Sequence, residues 1–216
     1  MENLKTGDLI LFCGHNSGPL TCFSWMIKCC THSNYSHVAM VIKDPSFVDP
    51  PLKGLYVWES GWEGHPDPQD GQVKLGVQIT PLDEVLADFG NSIIISRQIE
   101  CSNSIFTDEK LREVHNVVYN KPYDIVPRDW VEALLRKDSH PQKTDRFWCS
   151  ALVGYIYTKC GVLDPTTDWS ILRPSDFSLD GEELNLINNC MLSNIETRLK
   201  NNNKKITNKY SYRSLN

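Results

Sequence analysis

The stretch TDRFWCSALVGYIYTKCG, residues 144–161, has the spacing of a helix that packs on a core. Its apolar residues recur three or four positions apart, and Gly161 is a typical stop signal. Thr144 and Asp145 are candidate caps, so Cys149 falls in or near the first turn. Backbone N–H groups and the helix dipole favour a thiolate there. The stretch therefore predicts either a nucleophilic cysteine or a small buried hydrophobe, which is the usual state of a cysteine thiol.

The size and composition of the chain are those of a soluble globular domain. Its 216 residues, 40% hydrophobic and 23% charged, suit one domain with an extension. The start, MENLKTGDLILFCG, lacks a basic leader, and no apolar run has the length of a membrane span. Eight cysteines without an export signal predict reduced thiols in a cytoplasmic protein, not a disulfide framework.

The charge is unevenly distributed along the chain. Residues 198–216 hold six basic residues and no acidic ones, whereas the whole chain has a formal net charge of −5. We therefore expect an acidic body and a basic, flexible tail that either solubilises the protein or contacts an anionic surface weakly. An acidic body argues against nucleic acid as the main partner.

Alternating apolar and polar residues, together with continuous apolar runs, predict an α+β fold. It has a small antiparallel sheet or barrel packed against helices. Strands are expected at GDLILF (7–12), SHVAMVIK (36–43), LYVWES (55–60) and SIIISRQI (92–99), with a short strand that enters a helix at Pro81. Further helices are expected near residues 20–30, 108–119 and 128–137, before the cysteine helix.

Two polar residues lie at the ends of neighbouring predicted strands. His37 opens its strand and Glu59 closes the next one, so antiparallel pairing brings the two side by side. A carboxylate can hold one imidazole nitrogen while the other accepts a thiol proton. Taken singly, each is equally a hydrogen-bonded strand-end residue; together with Cys149 they form a candidate Cys-His-Glu site.

The order of five motifs resembles the circularly permuted NlpC-type papain-like superfamily, particularly its YiiX-like branch. The motifs are GDLILF, SHVAMVI, VWES, KPYD (121–124) and FWCSALV (147–153), and RPSDFS (173–178) resembles the closing segment of that branch. In this branch the histidine strand precedes the cysteine helix, as it does here. The resemblance implies a catalytic domain over residues 1–183 and an extension over 184–216.

The resemblance also implies roles for individual residues. Cys149 would be the nucleophile, His37 the base and later the acid, and Glu59 the residue that orients the imidazole. Tyr123 would line the pocket or support the oxyanion. The backbone N–H of Cys149 is a candidate oxyanion donor on physical grounds, because helix starts present such groups. Trp148 is placed among the substrate-binding residues, behind the site.

An apolar wall for the substrate is expected from Trp58, with Trp62 and Phe47 beside it, although aromatic residues near strand ends also serve as core. The expected activity is hydrolysis or transfer of an acyl group from an amide or ester, on a lipid, acyl-amide or peptide substrate, without a metal or organic cofactor. Two alternatives stay open: a catalytically silent binding module of the same fold, and a cell-wall peptide endopeptidase.

A metal site is a further alternative. Cysteine and histidine side chains in FCGH (12–15) and KCCTH (28–32) offer soft or borderline ligands, namely Cys13, His15, Cys29, Cys30 and His32. They lack the paired Cys-x-x-Cys spacing of structural zinc sites. The competing interpretation is a cysteine-rich amphipathic helix that packs on the sheet.

Overall fold

The computed structural model describes residues 3–13, 34–88, 93–101, 104–125, 143–181 and 184–199. These form a mixed α/β structure around an open six-stranded antiparallel sheet of order β4-β3-β2-β1-β5-β6. The strands are β1 (Leu9–Cys13), β2 (His37–Lys43), β3 (Leu55–Gly61), β4 (Gly76–Pro81), β5 (Ile93–Glu100) and β6 (Met191–Leu199). The helices in this part of the chain are α1 (Leu82–Asp88), α2 (Asp108–Val118) and α3 (Cys149–Cys160).

Each predicted strand and helix that falls on described residues is present within a few residues of its expected bounds. The helices expected near 20–30 and 128–137, and the tail beyond residue 199, lie outside the described residues. No described helix has both the length and the apolar character that a membrane crossing requires.

The central strands are buried on both faces, which explains their continuous apolar runs. On one face, alternate residues such as Leu11, Val38 and Met40 join the larger core cluster, against which α2 and α3 pack. On the other face, Ile10, Ala39 and their neighbours pack against α1 in a smaller cluster. The sheet therefore lies between two unequal layers, and α3 contacts β2 and β3 directly.

The start of α3 differs from its predicted cap. Thr144 and Asp145 do not cap it: Trp148 occupies the N-cap position and makes no side-chain cap hydrogen bond. The first turn is held instead by the Ser150 hydroxyl, which donates to the Leu172 carbonyl at 2.7 Å. Gly161 ends the helix as expected, in the left-handed region at φ 86°.

The segment that follows residue 183, which the sequence analysis assigns to an extension, contains a strand that completes the sheet. β6 pairs with β5 from Glu100↔Met191 to Ile94↔Leu199. It is an edge strand with a largely exposed surface, so its sequence shows no apolar run. Residues up to Leu199 therefore belong to the folded unit.

One pair of cysteines departs from the expectation of reduced thiols. Cys101, just after β5, forms a disulfide with Cys190, just before β6. Of the other described cysteines, Cys13, Cys149 and Cys160 lie outside any disulfide. The disulfide therefore cross-links the chain at one end of the pairing between β5 and β6.

Gly154 lets the segment around Trp169 and Leu172 approach α3. A Cβ at this position would lie 2.7 Å from Leu172 Cδ1 and 3.0 Å from Trp169 Cβ. We expect Gly154→Val to lower the free energy of unfolding by about 1–3 kcal/mol, the usual cost of overpacking. Urea denaturation measures this, with Glu113→Ala on the exposed face of α2 as a control that changes stability by about 0.5 kcal/mol or less. An unchanged urea midpoint for Gly154→Val would contradict this packing.

Candidate active site

The candidate site lies where β2 and β3 separate. Their ladder begins at Met40↔Trp58, and the same register places His37 opposite Gly61 beyond that point. The start of α3 comes to this gap, so the Cys149 thiol meets the His37 imidazole in a hydrogen bond. The backbone N–H of Val38 also donates to the Cys149 sulfur. The structure thus brings the helix-start cysteine and the strand-start histidine together.

His37 is held on its other side by Glu59. Its Nε2 lies 2.7 Å from Glu59 Oε2, and both side chains are buried. Because Nε2 faces the carboxyl group, Nδ1 is the ring nitrogen that remains for the thiol. The ring also packs against Phe12 on β1, with ring centroids 5.1 Å apart. The imidazole therefore has a fixed orientation between a carboxyl group and a sulfur.

Gly61 makes room for the imidazole. A Cβ at this position would lie 3.3 Å from His37 Cε1, 3.6 Å from Glu63 Oε1 and 3.8 Å from Glu59 Oε2. The first of these distances is tighter than ordinary van der Waals contact. A side chain here would displace the ring, so glycine at the position facing His37 preserves the contact with Cys149.

The electrostatics of the pair favour its charged form. Burial raises the pKa of the Cys149 thiol, but the charge of His37, its hydrogen bond and the N–H groups of Val38 and Ser150 outweigh burial and lower that pKa below its ordinary value. Burial lowers the pKa of His37, but Cys149, through its charge and hydrogen bond, and Glu63 reverse this and raise it. The two shifts together favour a thiolate–imidazolium pair.

Glu63 is a site residue that the sequence analysis missed. Its side chain lies against Glu59 and His37, and one ligand atom from each of the three falls within 4.8 Å of the others. A signal was available: Glu59, Gly61 and Glu63 occupy alternate positions, which share one face of an extended strand. The Gly- and Pro-rich sequence after Gly61 indicated a loop and hid that alternation.

These three side chains also form a candidate metal site. Among the described residues, His37, Glu59 and Glu63 are the group spaced closely enough to surround a cation. His37 Nε2 and Glu59 Oε2 already contact each other, however, so a cation would have to displace their hydrogen bond. Of the alternative ligands considered from the sequence, Cys13 is described at the end of β1, and His15, Cys29, Cys30 and His32 lie outside the described residues.

The predicted substrate-binding residues have different environments. Tyr123 is buried and lies near Cys149; burial raises its pKa well above the ordinary value, and the charges of Cys149 and Asp124 raise it further. Its backbone bridges to Phe147, directly before the cysteine helix. Trp148 is buried at the N-cap of α3, behind Cys149. Tyr123 thus lies near the thiol, whereas Trp148 directly precedes Cys149 in the chain and is buried.

Trp58 does not form the expected apolar wall. It is 1% exposed and belongs to the larger core cluster, with its ring centroid 5.3 Å from that of Phe47 and 6.0 Å from that of His115. Alternation along β3 points Trp58 and Glu59 to opposite faces of the sheet. Trp58 therefore offers a substrate no surface, and neither does the buried Phe47.

The sequence matches no protein-family model and no curated protein. Among solved structures, the fold is similar to that of the metalloprotein YiiX from Escherichia coli O157:H7, with a TM-score of 0.49 and 20% sequence identity. The alignment covers 91% of this chain and 96% of that one. A similarity of this size leaves the activity to be argued from the site itself.

We expect His37→Ala to abolish the enhanced acidity of the Cys149 thiol. Without the imidazole, burial is the dominant influence, and the pKa of Cys149 rises. Iodoacetamide alkylation at pH 7, resolved for each cysteine by peptide mass spectrometry, should then slow about tenfold or more at Cys149, since one pKa unit changes the thiolate fraction tenfold.

Cys160 provides an internal control in the same protein. It is buried on α3, and burial raises its pKa to about 12, so it should stay unreactive in both proteins. Equal alkylation rates at Cys149 in wild type and His37→Ala would contradict the thiolate–imidazolium pair.

Proposed function

We propose that the protein is a cysteine-dependent hydrolase or acyltransferase of the permuted papain-like kind, which cleaves an amide or ester bond through a thioester. The observation that carries the proposal is the hydrogen-bonded chain from Cys149 through His37 to Glu59, in a buried site. An activated thiol, a base within hydrogen-bond reach and a third group that orients the base are the parts that nucleophilic acyl chemistry requires.

The geometry suggests the order of events. The Cys149 sulfur, with its proton held by His37, attacks the acyl carbon, and the carbonyl π electrons move to oxygen. Collapse of this intermediate restores the carbonyl and breaks the bond to the amine or alcohol, which takes the proton from His37. His37 then deprotonates water or an acceptor hydroxyl or amine, whose attack breaks the thioester and returns the proton to Cys149.

The start of α3 supplies the electrostatic support for this chemistry. Trp148 contributes no side-chain cap, so the N-cap residue leaves the first N–H groups of the helix to other partners. The backbone N–H of Cys149 belongs to this turn and is the candidate donor to the developing oxyanion. Tyr123, which lies near the sulfur, is the candidate second contact to the substrate.

The proposed substrate class is an acyl amide, an ester or a peptide. The burial of Cys149, 1% exposed, favours an extended acyl group over a bulky folded partner, because a thin chain needs less access to reach a buried sulfur. A lipid acyl chain has this shape, and a cell-wall peptide remains the second candidate. A catalytically silent binding module would need neither the lowered thiol pKa nor the fixed imidazole.

Trapping of the acyl-enzyme tests the proposal. We expect incubation with the nitrophenyl ester of a medium-chain fatty acid to add one acyl group to Cys149, detected by intact-protein mass spectrometry and located by peptide mapping. Cys149→Ala should lose this adduct. Cys13→Ala should keep it, because Cys13 is a partly buried thiol at the end of β1.

Two results would contradict the proposal. One is the absence of an adduct from both the fatty-acyl ester and an activated peptide ester. The other is an adduct that persists at the same level in Cys149→Ala. A preference for the peptide ester over the fatty-acyl ester would favour the peptidase candidate within the same chemistry.

A further inference from the structure

The proposed mechanism gives Glu63 no role, although its carboxyl group lies inside the site. Glu63 Oε1 and Glu59 Oε1 are both buried. If both groups are ionised, neither oxygen has a hydrogen-bond partner among the described residues. Glu59 Oε1 is the oxygen that Glu59 does not direct at His37, since Glu59 Oε2 contacts Nε2. Two buried acceptors in one cluster of side chains are costly unless each receives a hydrogen bond.

A single proton satisfies both oxygens. A protonated carboxyl group donates one hydrogen bond, whereas two ionised groups only accept and repel each other. The carboxyl groups of Glu59 and Glu63 are in hydrogen-bond contact once one of them carries a proton. The pair then holds one negative charge, opposite the positive charge that His37 acquires when Cys149 is a thiolate.

We propose that Glu59 and Glu63 share one proton, and that Glu63 is a positioning residue that keeps Glu59 Oε2 directed at His37. The assignment rests on the proposed function, in which His37 must hold a fixed orientation towards Cys149. Glu63 itself touches neither the thiol nor the substrate in this scheme. It acts through Glu59, whose second oxygen it anchors.

The charged groups around Glu63 agree with this assignment. Burial, followed by the charge of Glu59, raises the pKa of Glu63 to about 9; His37 on β2 lowers it and Asp88 at the end of α1 raises it. Burial likewise raises the pKa of Glu59, whereas hydrogen bonds with Thr80 and Glu63 lower it, so Glu63 is the group that holds the proton. At neutral pH the pair therefore retains a proton.

The shared proton makes stability depend on pH with a definite sign. In the unfolded chain a glutamate loses its proton near its ordinary pKa of 4.5, whereas in the folded pair Glu63 keeps one up to about pH 9. The folded state thus binds more protons between these limits. The stability that the shared proton contributes is fully present below about pH 4.5. It is lost as the pH rises through the pKa of the folded carboxyl pair.

The variants Glu63→Gln and Glu63→Ala separate the shared proton from a purely structural role. The Gln amide is a permanent donor to Glu59 Oε1 and does not titrate, so it imitates the protonated acid. Ala removes the donor and leaves Glu59 Oε1 orphaned. The full chain is used for wild type and both variants.

Two measurements are made on each protein: urea unfolding from pH 5 to 9, and alkylation of Cys149 at pH 7. We expect the wild type to lose stability with rising pH relative to Glu63→Gln, with a slope that approaches about one proton. We expect Glu63→Gln to keep Cys149 alkylation within about threefold of wild type, and Glu63→Ala to slow it about tenfold, the effect of one pKa unit on the thiolate fraction.

Three results would overturn the proposal. The first is an identical pH dependence of stability in wild type and Glu63→Gln, which remains decisive even if Glu63→Ala does not fold. The second is alkylation of Cys149 that is unchanged in Glu63→Ala, or lost to the same extent in Glu63→Gln. The third is stoichiometric Zn²⁺ binding that disappears in Glu63→Gln, since a cation would then occupy the place of the proton.

Failure of the proposed function gives a different pattern. Neither measurement needs a substrate, so a missing acyl-enzyme together with the expected pH slope and Gln rescue would remove the catalytic role and keep the carboxyl pair. A normal acyl-enzyme without the expected pH dependence of stability would keep the catalytic role and remove the shared proton.

Discussion

The site depends on one contact, the hydrogen bond between the Cys149 thiol and the His37 imidazole at the point where β2 and β3 separate. Both groups are buried, and burial alone would keep each of them neutral. Their contact reverses the effect of burial on both pKa values, because the thiolate and the imidazolium stabilise each other. The antiparallel sheet and the helix that begins at Cys149 act together to bring these two groups into reach.

The surroundings of this pair restrict its freedom on every side. Glu59 holds Nε2 of the imidazole, Phe12 packs against its ring, and Gly61 leaves it the space that a side chain would take. The Val38 N–H reaches the sulfur because the ladder between β2 and β3 begins only at Met40. An opening between two strands thus lets a backbone donor, which a ladder would otherwise use, stabilise a thiolate.

Periodicity in the sequence predicted the strands and the Cys149 helix well, because buried elements impose a strong apolar spacing. The meeting of His37 and Glu59 followed from their positions at the ends of neighbouring strands. β6 was missed because an exposed edge strand needs few apolar residues. Glu63 was missed because the glycines around it indicate a loop, and the burial of Trp58 depends on which face of β3 meets α3, which local sequence does not specify.

The central claim concerns the charge of His37, and an NMR pH titration of its imidazole ¹⁵N shifts measures that charge directly. In wild type the account predicts a pKa above the ordinary value of 6.5, since the neighbouring Cys149 thiolate raises it. In Cys149→Ala that influence is gone, burial prevails, and the pKa of His37 should fall. An identical titration in the two proteins would show that the thiol and the imidazole are not coupled, and would contradict the account.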